Sequence, residues 1–298
     1  MTGSCRGVMR TSRFDPLASA LAEKAVRGAA GAVSRRTLAA GEGWCANDFV
    51  CTCGPRDTAF EERHDVASIS LVLAGTFACR SVHGVSLLSP GSLFLGSAGQ
   101  DYECSHHHGE GDRCLSFRFG PELFERLAHD AGASGVAFSR NALPPLRGLA
   151  RVTARAKAAM EQPDQLEEIA LELAGAAVQT AGQVRGDASA PPGQHARIAR
   201  VLRYLASRIA SPHTIADLAR VASLSPYHFL RTFKRVTGVT PHQWLLRARL
   251  REAAQRLATG GERITDIALD VGFEDLSNFV RSFRAEFGTS PRGFRAAA

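Results

Sequence analysis

The feature that most constrains this chain is a duplication. DLARVASLSPYHFLRTFK (217–234) is echoed by DIALDVGFEDLSNFVRSFR (266–284), with one extra residue in the second turn. Each copy runs from an Asp-aliphatic-Ala start through a short turn into an amphipathic stretch with aromatics four apart: Phe229 and Phe233, then Phe279 and Phe283. That spacing puts each pair on one helical face, where it packs rather than stacks on bases. An apolar helix, a tight turn and a second helix with one buried and one exposed face form a helix-turn-helix. The start and stop signals agree. Ser225 precedes Pro226, an N-cap before a first-turn proline, and Gly272 stands where the first helix of the second unit must end. Between the units, residues 241–258 read as one helix closed by Thr259-Gly260-Gly261. At 1.5 Å per residue it is ~27 Å long, comparable to the ~34 Å of one DNA turn. Arg231 and Arg281 then project from equivalent faces, about fifty residues apart.

Charge follows the duplication. The chain has 298 residues and a net charge of +7. From His195 onward there are 17 Lys+Arg against 8 Asp+Glu, leaving 19 against 21 for the rest. A basic third joined to a slightly acidic remainder points to a polyanion-binding module fused to one with another task. Charge alone would also fit a solvated helical face; the duplicated turn pattern argues against that. No apolar run approaches eighteen residues, so a membrane span is not expected. The first 33 residues have no uninterrupted apolar core, so the expected compartment is the cytoplasm.

Residues 195–298 resemble the DNA-binding domain of the AraC/XylS family of bacterial transcription regulators. The resemblance is carried by SPYHFLRTFK (225–234), GVTP (238–241), RLREAA (249–254), ITDIA (264–268), Gly272-Phe273, FVRSFR (279–284) and GTSP (288–291), in order along the domain. It implies a double-stranded DNA operator and RNA polymerase as partners. The DNA-facing positions it implies are Tyr227, His228, Leu230 and Arg231 in the first reader, and Leu276, Ser277, Asn278 and Arg281 in the second. Arg suits guanine O6/N7 and Asn suits adenine. Leu230 and Leu276 stand where some family members carry polar readers, leaving contact with a thymine methyl or no readout there. Lys234, Arg235 and Arg284 fit phosphate contacts, which position without specifying.

The expected organisation is α+β. Residues 1–40 read as a loosely ordered lead-in, with a short helix near 16–26. Residues 41–184 form a regulatory and dimerisation domain, 185–194 a Pro/Gly linker, and 195–298 an all-α domain with two helix-turn-helix units. Strand-prone runs fall at 44–52, 68–73, 76–81, 85–88, 92–95, 101–104 and 114–119, a spacing typical of a β-sandwich or small barrel. LAGTF (73–77) and LSPGSL (88–93) resemble a cupin-like regulatory barrel. That resemblance implies a β-barrel with an effector pocket inside and a homodimer through the following helical pair, 144–160 and 164–184. The apolar stripe Leu166, Ile169, Ala170, Leu173, Ala177, Val178 would serve a dimer or the chain's own barrel equally well.

All seven Cys lie in the first 114 residues. On a strand, positions two apart share a face. Cys51 and Cys53 would therefore point together, as would Cys104, His106 and His108, with Cys114 following. Thiolate and imidazole suit Zn²⁺ or a softer, thiophilic ion. Three readings stand: buried structural thiols beside a solvated His run, a metal site, or a thiol redox switch. Cys5, Cys45 and Cys79, and His64, His83 and His129, read as isolated. The overall expectation is a non-enzymatic regulator controlled by a small-molecule, metal or redox signal. The alternative is a cupin-type metalloenzyme with a basic accessory domain, for which Glu103 and Glu110 are the acid/base candidates near the cluster.

Overall fold

A computed structural model describes residues 15–107, 109–133, 135–183 and 191–297. The front domain opens with α1 (Pro16–Arg27), capped by the Asp15 carboxylate. Strands β1 (Val33–Gly41), β2 (Trp44–Cys51), β3 (Phe60–Arg63), β4 (Ala67–Gly75), β5 (Phe77–Ser81), β6 (Gly84–Leu88), β7 (Leu93–Gly96), β8 (Asp101–Ser105) and β9 (Asp112–Phe119) follow. Then come α2 (Pro121–Asp130), the short β10 (Ala142–Leu143), α3 (Ala150–Ala158) and α4 (Leu166–Gln183).

The strands form two antiparallel sheets, ordered β1-β2-β9-β4-β7-β10 and β3-β8-β5-β6. Among the described residues no ladder joins them, which corrects the expected closed barrel to an open two-sheet sandwich. Strand alternation and turn residues are the same in both architectures; closure depends on edge pairing far apart in sequence. The expected lead-in is also corrected. Residues 1–14 lie outside the described residues and the short helix expected near 16–26 is α1, but residues 33–40 belong to β1, which pairs along the whole of β2. β1 is an edge strand with almost every residue exposed, so it lacks the alternation that announces a half-buried strand.

The six-stranded sheet carries two different faces. Ile69, Leu71, Leu115, Phe117 and Phe119 point to the helices and join Leu166, Ile169, Ala170, Leu173, Ala177 and Val178 in one core. The apolar stripe of α4 is therefore spent on the chain's own sheet and is not left for a second copy. The opposite face, with Ser68, Ser70, Cys114 and Ser116, looks toward the four-stranded sheet and lines a cavity of about 310 Å³.

The basic domain holds α5 (Pro192–Ala206), α6 (Ile215–Ala222), α7 (Pro226–Thr237), α8 (Pro241–Thr259), α9 (Ile264–Asp270), α10 (Leu276–Phe287) and α11 (Pro291–Ala296). Of the expected linker at 185–194, residues 185–190 lie outside the described residues and 192–194 already belong to α5. Each helix-turn-helix unit has its own core. Phe229 and Phe233 pack with Leu218, Ala219, Ala222 and Trp244. Phe279 and Phe283 pack with Leu250, Ala253, Ile267, Ala268 and Phe287. The long α8 contributes to both and is started by a capping box between Thr240 and Gln243.

The two domains are docked. Leu87 of β6 enters the first unit's core and Ala150 of α3 the second's. The Trp244 indole donates to Ser89 Oγ at 3.3 Å. One turn apart on α8, Arg247 Nη1 donates to Pro145 O at 2.7 Å and Arg251 Nη2 to Pro90 O at 2.9 Å. Burial pushes the Arg251 guanidinium down to about 10, against the nearby Glu286 carboxylate, so it stays charged near neutrality.

Candidate functional site

The reading helices are built by local turn chemistry. In the first unit α6 ends at Ser223, whose φ of +54° is the one positive value at a non-glycine among the described residues. Ser225 caps α7 through the His228 N–H. In the second unit Gly272 takes φ +96°, and Asp275 Oδ1 accepts from the Asn278 N–H at 2.7 Å. The closing bonds are equivalent. Leu224 N donates to Ala219 O and Phe273 N to Ala268 O, each at 3.0 Å, the six-to-one bond of a left-handed helix stop. The copies thus share backbone design as well as core aromatics, with five residues between the helices of the second unit instead of three.

All eleven expected DNA-facing residues are exposed or half-open: Tyr227, His228, Leu230, Arg231, Lys234 and Arg235 on α7, and Leu276, Ser277, Asn278, Arg281 and Arg284 on α10. Tyr227, Leu230 and Leu276 are large apolar or aromatic side chains left to solvent at 66%, 40% and 40% exposure. Each arginine has a neighbour on its own helix. Arg231 lies over the Tyr227 ring, 5.7 Å from its centroid, and Arg281 Nη2 donates to Asn278 Oδ1 at 3.2 Å. Neither is enclosed by protein. Each second helix thus presents an exposed guanidinium, an exposed leucine and, about a turn later, a further exposed cation.

The cysteine region sits at one end of the cavity between the sheets. The ladder of β2 and β9 sets Cys51 opposite Asp112, and Gly111 N donates to Cys53 O at 2.8 Å. These two tethers bring the end of β2 onto the segment that leads from β8 into β9. Cys51 Sγ, Cys53 Sγ and a ring nitrogen of His106 all lie within 4.8 Å of one another, and all three residues are buried. Two other expected members stand beside this trio rather than in it. Cys104 faces Cys79 across the β5–β8 ladder, and Cys114 Sγ donates to Asp112 Oδ2 at 3.2 Å. His108 lies outside the described residues, as does Cys5. β8 ends at Ser105, so His106 is not on the strand face expected for it; it turns into the cluster from the loop.

Sequence reasoning missed three participants. Asp112 holds His106 Nε2 at 2.6 Å; only the strand register could have placed it there. Cys79 is fully buried against Cys104. His64 is buried, stacks on Tyr102 with centroids 4.1 Å apart and lines the cavity. Burial lowers His64 to about 4, with Asp65 opposing and Arg118 reinforcing the shift. Burial and the neighbouring Asp112 carboxylate push the Cys51 thiol far up. Burial and the same carboxylate do so for Cys114; the hydrogen bond with Cys79, then burial, raise Cys104.

Comparison with known proteins agrees with this division. Residues 218–297 match the helix-turn-helix domain family, and residues 44–183 match the regulatory protein PchR N-terminal domain. The chain is 38% identical over 100 residues to the HTH-type transcriptional activator RhaS of Klebsiella pneumoniae, covering 34% of this chain and 36% of that protein. It is 29% identical over 105 residues to the regulatory protein PocR of Salmonella typhimurium, covering 35% of each. The chain thus spans about a third of the length of these curated relatives. Among solved structures, the DNA-binding domain of AdpA, a global transcriptional factor, in complex with a target DNA aligns at TM-score 0.33 and 30% identity, over 34% of this chain and 91% of that one.

The chain thus joins a segment similar to the PchR N-terminal regulatory domain to a helix-turn-helix domain of duplicated design. Both matches are in keeping with the resemblance to AraC/XylS-family regulators, each over less than half of the chain.

Proposed function

We propose that the chain is a sequence-specific transcription regulator. In this reading α7 and α10 enter neighbouring major grooves of an operator, and the front domain sets their readiness to do so. The observation that carries it is the pair of equivalent exposed helices, each presenting an exposed arginine beside an exposed apolar residue. RNA polymerase would be its partner as an activator, the role of its relative RhaS. A homodimer would have to form through surfaces other than the apolar stripe of α4, which is buried in the chain itself. The signal would enter the cavity between the sheets, in keeping with the cupin-like motifs at 73–77 and 88–93. Chemistry on that signal is not part of the proposal. The two carboxylates named for the metalloenzyme alternative, Glu103 and Glu110, are not among the described residues lining the cavity, and Glu103 faces Arg80 at 3.8 Å.

The test is selection of duplexes from a random library by the full chain. A single enriched motif is expected. Arg231→Ala should lose ~1–3 kcal/mol of discrimination at one step within it. Lys234→Ala should weaken binding to all sequences and lower the salt slope by about one. No enrichment, or Arg231→Ala binding with unchanged preference, would refute the reading.

A further inference from the structure

We propose that Cys51, Cys53 and His106 form a binding site for a thiophilic divalent ion, zinc in the first instance, and that the loop carrying His106 transmits its occupancy to the DNA-binding domain. The second half rests on the regulator reading above; the first does not.

The donor set comes first. Two sulfurs and one imidazole nitrogen converge within 4.8 Å. A tetrahedral ion with bonds of ~2.0–2.3 Å wants its donors ~3.5–3.8 Å apart, so side-chain rotations of about an ångström close the set. His106 has the arrangement typical of a ligating histidine. Its Nε2 is engaged by the Asp112 carboxylate at 2.6 Å. Its Nδ1 is buried with no hydrogen-bond partner, and the side chain is 1% exposed. A carboxylate on one ring nitrogen fixes the tautomer and orients the other nitrogen toward a metal. An unpartnered buried nitrogen is otherwise a cost with no return.

Charge selects the ion. Binding expels the two thiol protons to solvent, and two thiolates with a neutral imidazole make a neutral complex around a divalent cation. A monovalent ion would leave another negative charge buried beside Asp112, which burial strongly disfavours. Three protein ligands leave a fourth position, and Cys51 and His106 both line the cavity. That position can therefore be filled by water or by a group on a cavity ligand.

The site is also wired outward. α1 lies across it: Lys24 Nζ donates to Thr52 O at 2.7 Å and pairs with Asp57 at 2.8 Å, pinning the Cys51–Cys53 backbone. On the other side, the loop after His106 rests against α5. Gly109 is close enough that a Cβ there would stand 3.6 Å from Arg203 Nη1. His107, Gly109 and Glu110 face Arg200 and Arg203 across one groove. An ion that tightens His106 onto β2 must move or stiffen this loop, and α5 packs directly on α6 and α7 of the first reader.

The full chain, purified with reductant and stripped with chelator, is titrated with Zn²⁺ and separately with Co²⁺. One equivalent of zinc should bind, and the cobalt form should show thiolate-to-metal charge-transfer absorption. Cys53→Ser should lose at least tenfold in affinity, and Asp112→Asn about 10- to 100-fold through misorientation of His106. Cys45→Ser, remote from the trio, should bind as the parent does. The cobalt spectrum of the parent needs no variant, so a misfolded Cys53→Ser does not rescue the idea. No stoichiometric binding, a cobalt spectrum without thiolate absorption, or a site that takes Cu(I) but no divalent ion overturns the assignment. Affinity for a library-selected duplex is then measured with and without zinc. A change of threefold or more, absent in Cys53→Ser, is expected. Equal affinity in both states overturns the transmission claim while leaving the metal site. A chain that binds zinc but no DNA in either state refutes the regulator reading instead.

Discussion

Two equivalent backbone positions should respond to substitution with opposite signs. Ser223 and Gly272 both stop the first helix of a helix-turn-helix with positive φ, +54° and +96°. A left-handed conformation costs a non-glycine residue ~1–2 kcal/mol. Ser223→Gly removes that strain and gives back ~0.5–1 kcal/mol in chain entropy, for a net gain of ~0.5–1 kcal/mol. Gly272→Ala incurs the strain and a collision as well. A Cβ at Gly272 would sit 2.6 Å from Ala210 O and 2.8 Å from Ala210 Cα, backbone atoms that cannot rotate aside. Forcing such a shift costs a further ~1–3 kcal/mol; set against the ~0.5–1 kcal/mol of chain entropy that alanine recovers, the net loss is ~1.5–4 kcal/mol. Equilibrium urea unfolding of the two variants gives both numbers. DNA binding adds a check: Gly272→Ala should also displace α10 and weaken binding, whereas Ser223→Gly should not. Destabilisation of Ser223→Gly by more than 1 kcal/mol, or neutrality of Gly272→Ala, would refute the equivalence of the two turns.

Two further outcomes follow from the packing of the front domain. Arg251→Met keeps the side-chain stem but removes the donor to Pro90 O; the lost charged hydrogen bond is worth ~1.5–3 kcal/mol. Calorimetry should then resolve separate unfolding of the two domains where the parent unfolds closer to a single step; an unchanged thermogram would show that this contact does not hold the domains together. His64 stays neutral in the fold down to about 4, whereas in the unfolded chain it takes up its proton near 6.5. Stability therefore falls as pH drops through that window, by ~1–2 kcal/mol once residual water at the cavity mouth is allowed for. His64→Phe should flatten this part of the pH profile in urea titrations at pH 7 and pH 5; an identical slope would remove His64 as its source.

How much of this was legible depended on the range of the interactions involved. The helix-turn-helix units are written locally: the Ser225 cap, the Thr240 capping box, the Gly272 stop and phenylalanines four apart each act within one or two turns. β1 was not legible because it is a solvated edge with no apolar alternation. Sandwich and barrel share strand and turn chemistry, so the open sheets could not be told from a closed one. In the cysteine region, chemistry was legible but grouping was not. Residues two apart on a strand led to Cys104 with His106, whereas the structure groups His106 with Cys51 and Cys53 because the β2–β9 register and the Gly111–Cys53 hydrogen bond fold the loop that way. Asp112 became visible only through that register. The docking of Trp244, Arg247 and Arg251 on the front domain joins residues more than one hundred positions apart, beyond any pattern in a single stretch.

Whether two readers act on one duplex is tested most directly by footprinting of a library-selected site. Hydroxyl-radical cleavage and guanine methylation interference should show two contacted segments on the same face of the DNA, centred about 10 base pairs apart. Arg231→Ala should erase base contacts in one segment and Arg281→Ala in the other. A single contacted segment, or loss of the same contacts in both variants, would contradict it.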